Sequence, residues 1–151
     1  MDNPTPSAAG PLTRAELARL IDHTQVRANA SLVEMEQLCD EAREHGFAAV
    51  SVNPVWTSYC ARRLKDSPVH VNAMVGFPLG ANTSRVKVEE AREAIRNGAD
   101  ELDMVINIGA LKSGYTDFVE SEVAAVVRAV GAVHVKVILE TSYLTTEEKV
   151  A

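Results

Sequence analysis

Two charged side chains stand where a fold rarely tolerates them. The stretch AVHVKVILET, Ala132 to Thr141, has the valine, isoleucine and leucine content of a buried strand, with Lys136 at its centre. The stretch GADELDMVINIG, Gly98 to Gly109, places Asp103 in the same setting. An unpaired charge buried in apolar surroundings is too costly to keep, so each needs a partner or a use. A lysine beside a carboxylate stays charged and orients it. A lysine that is desolvated, or set near another cation, loses its proton and becomes a nucleophile. Either arrangement suits carbonyl chemistry through a Schiff base. A structural ion pair with no part in turnover is equally compatible with the spacing.

Other chemistries find less support. The four histidines, His23, His45, His70 and His134, show no H-E-x-x-H or H-x-H spacing, so no metal site is expected. His134 has the plainer role of a polar residue at the start of its strand. Ser51 lies outside any G-x-S-x-G elbow, which argues against a serine hydrolase. There is no G-x-G-x-x-G fingerprint and no phosphate-binding P-loop. Glu89, Glu90, Arg92, Glu93 and Arg96 read as a solvated helix face. GFPLG, Gly76 to Gly80, follows a strand as a turn that could also shape the mouth of a site.

Lys136 and Asp103 must be held by a regular scaffold, and the chain reads as a βα repeat. Thr13 and Glu16 form a capping box before a first helix, and Ser31 and Glu34 form another before a helix that stops at Gly46. A helix is expected from about Val55 to Leu64. Another, capped by Thr83 or Ser84, ends by Gly98, and a further one runs from about Asp117 to Val130. Thr145 and Glu148 resemble the start of one more. Strands are expected near residues 20–24, 48–53, 70–75, 101–106 and 133–139, with ELDMVINIG read as strand throughout. Such alternation implies a parallel sheet with helices outside.

Residues two apart in a strand share a face. His134, Lys136, Ile138 and Glu140 share one face, and Val133, Val135, Val137 and Leu139 the other. Glu101, Asp103, Val105 and Asn107 oppose Leu102, Met104, Ile106 and Ile108. Ala49, Ser51 and Asn53 oppose Val50 and Val52, and the first strand contributes Asp22 and Thr24. An apolar face suits a helix layer. A polar-studded face suits a barrel interior with a site at its C-terminal mouth. The favoured fold is therefore α/β of the (β/α)8 TIM-barrel type, truncated to about five βα units, over a doubly wound open sheet. Asp103 and Lys136 are the catalytic candidates and should project from one face. Asp22, Thr24 and Ser51 are the substrate-binding candidates.

Composition sets outer bounds. A chain of 151 residues, 46% hydrophobic, fits one domain with a substantial core, placed at 13–151 after a disordered tail at 1–12. A net charge of −6 argues against nucleic acid as a partner. No apolar run approaches a membrane span, and the N-terminus lacks a secretory pattern. Cys39 and Cys60 lie in no metal or redox spacing, so free thiols and a cytoplasmic protein are expected.

LIDHT, FAAVSVNP, VGFPLGANTSRVKVEEAREAIRNGADELDMVINIGALKSG and KVILETSYLTTEEKV, from Leu20 onward, resemble deoxyribose-phosphate aldolase. That resemblance implies a (β/α)8 class I aldolase that needs no metal or other cofactor. It would cleave 2-deoxy-D-ribose 5-phosphate to acetaldehyde and glyceraldehyde 3-phosphate. It implies that Asp103 is the proton-relay aspartate and that Lys136 is a site-lining lysine, not the Schiff-base former. The family's Schiff-base lysine lies in a DF-[IV]-KTSTG motif on the sixth strand, and this sequence does not contain it. Extending the repeat places that strand past Ala151. The chain also departs from the family after Asp22-His23-Thr24, at Gln25-Val26-Arg27-Ala28, and Ser51 stands where many members have cysteine. The isolated chain is expected to be inactive, with exposed sheet edges that favour a homo-oligomer. The alternative is a non-catalytic barrel remnant serving as an association or scaffold module.

Overall fold

The computed structural model describes residues 11–150, so the expected tail at 1–12 lies almost wholly outside the described residues. Five strands, β1 (Asp22–Gln25), β2 (Ala49–Val52), β3 (His70–Val75), β4 (Glu101–Val105) and β5 (His134–Ile138), form one parallel sheet in sequence order. Helices α1 (Arg14–Ala18), α2 (Leu32–His45), α3 (Pro54–Leu64), α4 (Ser84–Arg96), α5 (Ile108–Lys112) and α6 (Thr116–Val130) fill the connections.

Local chemistry sets the boundaries. Thr13 and Ser31 accept from the amides of Glu16 and Glu34, whose carboxylates return to the cap amides, as both capping boxes require. Asn53 precedes Pro54 at the first turn of α3, where a missing N–H costs nothing. Thr83 occupies the cap position of α4 without a side-chain hydrogen bond to the helix. Thr145 and Glu148 exchange cap bonds, but only a turn follows.

One expected boundary is corrected. ELDMVINIG is not strand throughout: β4 ends at Val105, and the Asn107 side chain accepts from the amide of Ala110 to start α5. An Asn ahead of a short run that ends near Gly114 is an N-cap signal. The continuous apolar character of the segment hides it.

The outer face of the sheet carries two apolar clusters. Val50, Val52 and Val71 pack with Met35, Leu38, Cys39, Ala42, Cys60 and Leu64 of α2 and α3. Ala73, Val75, Leu102 and Met104 pack with Ala91 and Ala94 of α4 and Val126 of α6. Both cysteines are free and buried. With its apolar face spent on helices, each strand turns its polar residues to the opposite side. That inner face holds Ser51, Asn72 and Asp103, all buried.

The sheet is strongly curved. Strands lie about 4.8 Å apart, so four steps across a flat sheet cover roughly 19 Å. A lysine and an aspartate side chain cannot bridge that span together. Yet Lys136 of β5 donates to Asp22 of β1 at 2.7 Å. In an eight-stranded barrel the first and fifth strands face each other across the axis, and this chain forms that half of the wall.

Candidate functional site

The site grows from a register. Asp103 and Lys136 are direct partners across β4 and β5, and in a parallel pair such residues point to the same face. The Lys136 ammonium lies 3.3 Å from Asp103 Oδ1 and 2.7 Å from Asp22 Oδ2. The longer contact is an ion pair without hydrogen-bond alignment, so Asp103 Oδ1 is buried with no hydrogen-bond partner. Lys136 remains half exposed, while Asp103 is 6% exposed.

These surroundings set the charge on Lys136. Partial burial works to lower its pKa. The hydrogen bond to Asp22 and the charges of Asp103 and Asp22 outweigh that, holding the ammonium above the ordinary lysine range. Such a group orients and neutralises carboxylates. Attack on a carbonyl would require the free amine.

The other candidates divide. Ser51 is buried on β2 and accepts from Asn72 Nδ2 at 3.0 Å. Thr24 pairs with Ser51 in the sheet register but is exposed, and its hydroxyl donates to the Asp22 carbonyl at 2.9 Å. The structure thus joins Asp22, Asp103 and Lys136 in one contact, with Ser51 and Thr24 on strands to the side. Asn72 was not among the candidates. It is fully buried on the inner face and its Oδ1 has no partner. Its signal is the single polar residue within the apolar run VNAMV, on the face shared with Met74.

His134 is exposed at the start of β5, as its plainer role requires. Glu90 is not part of a solvated face: its Oε2 accepts from the Gly76 amide at 3.0 Å and from Asn82 Nδ2 at 3.3 Å. Among the described residues, no three His, Cys, Asp or Glu side chains converge to hold a metal ion, and no helix is long and apolar enough to cross a membrane.

Residues 17–150 match the sequence profile of the DeoC/LacD family aldolases. The chain belongs to that family. Deoxyribose-phosphate aldolase from Thermoanaerobacter sp. strain X514 is 53% identical over 137 residues, which is 89% of this chain and 61% of that protein. The Lactococcus lactis subsp. lactis enzyme of the same name is 51% identical over 135 residues, with the same coverage. A structure from Coccidioides immitis superposes with a TM-score of 0.89 at 38% identity, over 93% of this chain and 55% of that one. A tetrameric deoxyribose phosphate aldolase from Aeropyrum pernix gives 0.80 at 29% identity, over 90% and 57%. The chain therefore spans about three fifths of the length of these relatives. Within the family's barrel it supplies five parallel strands and their helices.

Proposed function

We propose that this chain forms the β1–β5 wall of a class I aldolase that cleaves 2-deoxy-D-ribose 5-phosphate reversibly to acetaldehyde and glyceraldehyde 3-phosphate through a Schiff base. The observation that carries this reading is the ammonium of Lys136 held between Asp22 and Asp103. Asp103, buried and with one oxygen free of hydrogen bonds, is suited to take and return the proton that moves during C–C cleavage. Lys136 lies 3.3 Å from that carboxylate and holds it toward the lumen. Asp22, Thr24 and Ser51 would meet the substrate's hydroxyls, and neither metal nor cofactor is required. The amine that forms the imine is not Lys136. It would come from strands that close the rest of the barrel, together with most of the phosphate site.

The chain alone is then expected to lack turnover, because nucleophile and phosphate anchor are both missing. It would act in the cytoplasm on soluble sugar phosphate and aldehyde, without nucleic acid. Association of like chains is favoured by the open edges of β1 and β5. A mainly apolar, half-open pocket of about 680 Å³ beside β5, lined by Val123, Val127, Val137, Leu139 and Leu144 with charged residues such as Glu120 and Glu148 among its walls, adds to it.

The test is retro-aldol turnover of deoxyribose 5-phosphate, read first on the purified chain. It is then read after co-expression with the remaining segment of the Thermoanaerobacter relative. No turnover alone, turnover on completion, and loss of it in Asp103→Asn are expected. Turnover by the isolated chain that disappears in Lys136→Leu would make Lys136 the nucleophile and overturn the reading. A scaffold role would leave the completed barrel inactive.

A further inference from the structure

Among the described residues, the most deeply buried charges lie outside the lumen. Lys87 of α4 and Glu122 of α6 form a 2.7 Å ion pair with both side chains wholly inaccessible to solvent. Glu122 Oε1 also accepts from Ser84 Oγ at 3.1 Å. Lys87 then donates to the carbonyl of Val105 at 2.9 Å, at the last residue of β4. The helix layer thus sends a charged donor into the sheet two residues beyond Asp103.

Stability alone is a poor reason for this pair. Two facing apolar residues of similar volume would fill the space at no greater cost, because desolvating both charges offsets their attraction. An apolar pair could not supply a donor to Val105. The same helix also grips the end of β3. Glu90 accepts from the Gly76 amide, and a Cβ on Gly76 would lie 2.9 Å from Lys87 Cε. The ends of β3 and β4 are therefore tied to one helix by neighbouring side chains. These ends border the C-terminal mouth, where sites of this fold are built.

We propose that Lys87, buttressed by Glu122 and Ser84, is a positioning residue that fixes the end of β4 and so sets the spacing of Asp103 from Lys136. Its action on the site rests on the aldolase reading; its action on the spacing does not. Asp103 projects from a strand whose downstream end Lys87 restrains. Lys136 stands on the next strand, facing Asp103 and Asp22. Releasing the Val105 carbonyl lets β4 shift, and the 3.3 Å contact lengthens.

The test needs no substrate, so its failure is separable from failure of the aldolase reading. Lys87→Met/Glu122→Leu replaces the pair with apolar residues. The Lys136 Cε resonance, assigned with Lys136→Arg among the five lysines of the chain, is titrated by NMR. The variant is expected to melt cooperatively while the Lys136 midpoint falls by about half a pH unit or more. An unchanged midpoint in a cooperatively melting variant overturns the proposal. Should that variant not fold, amide exchange in the unaltered chain decides. The Gly76 and Ile106 amides are expected to show protection within about threefold of each other, as parts of one restrained unit. Protection differing by more than about tenfold shows independent ends and overturns the coupling.

Discussion

Asp22 and Lys136 stand on the two edge strands of the sheet, and their side chains meet at 2.7 Å. The contact crosses the lumen, so it reports curvature as well as charge. It also leaves Asp103 dependent on a lysine that reaches past it to another strand.

Removing the lysine should therefore cost more than removing its more exposed partner. In Lys136→Leu, Asp103 is left buried without a cation, at a cost of about 1–3 kcal/mol. Asp22→Asn leaves the Asp103 contact in place and should cost under about 1 kcal/mol. Urea denaturation measures both. Adding Asp103→Asn to Lys136→Leu should restore most of the loss. Equal costs for the two single variants would show that Asp103 does not depend on Lys136.

His70 of β3 lies 2.7 Å from Glu101 of β4. That hydrogen bond raises its pKa above 6.5; partial burial opposes the rise, and the charges of Asp100, Glu101 and Asp22 add to it. The folded state thus holds the proton more tightly than the unfolded chain. The contribution is complete below about pH 6.5 and is lost as the pH rises through the higher folded-state pKa. Stability measured against pH should decline over that window, and His70→Gln should flatten the decline. An identical profile in the variant would remove His70 from the account.

Gly80 closes the β3–α4 turn against the end of β4. Its φ is +64°, and an added Cβ would lie 1.8 Å from the carbonyl oxygen of Ile106. Backbone, not a flexible side chain, occupies that space. Gly80→Ala should cost about 3 kcal/mol or more in thermal or urea denaturation. Gly114→Ala, also at positive φ but with open space around it, should cost less.

Cys39 and Cys60 share the cluster between α2, α3 and the sheet, and neither reaches solvent. The hydrogen bond to Cys39 and burial push the Cys60 thiol well above the usual cysteine range. The same hydrogen bond lowers the pKa of Cys39, so burial is what protects both thiols: an aromatic disulfide reagent should find almost no reactive thiol in the native chain and two per chain in urea. Rapid labelling without denaturant would mean that α2 and α3 separate readily.

The sheet was legible because its signal is redundant. Period-two alternation places Asp103 and Lys136 on one face, the β-branched residues mark the strands, and the capping boxes mark α1 and α2. The reach of Lys136 to Asp22 was not legible, since it depends on how far the sheet curls, and curvature leaves no local mark in sequence. Lys87 was hidden for a related reason. On α4 it sits among charges that do face water, such as Glu89 and Arg92, and only the packing of α6 reveals its burial. Asn72 escaped notice because one polar residue in an apolar run looks like tolerance until its neighbours are known.

The strand order has a consequence for how the chain is made. Each strand after the first pairs with the one that precedes it in sequence, so each of these finds its partner already synthesised as it leaves the ribosome. After β1, which waits only for β2, no strand has to stand with both edges bare until a later one fills a gap. The exception is the link between Lys136 and Asp22, which are 114 residues apart. The first strand therefore spends most of synthesis with its carboxylate unmatched. The bond that spans the lumen is among the last to form, a lock turned only after the wall behind it is standing.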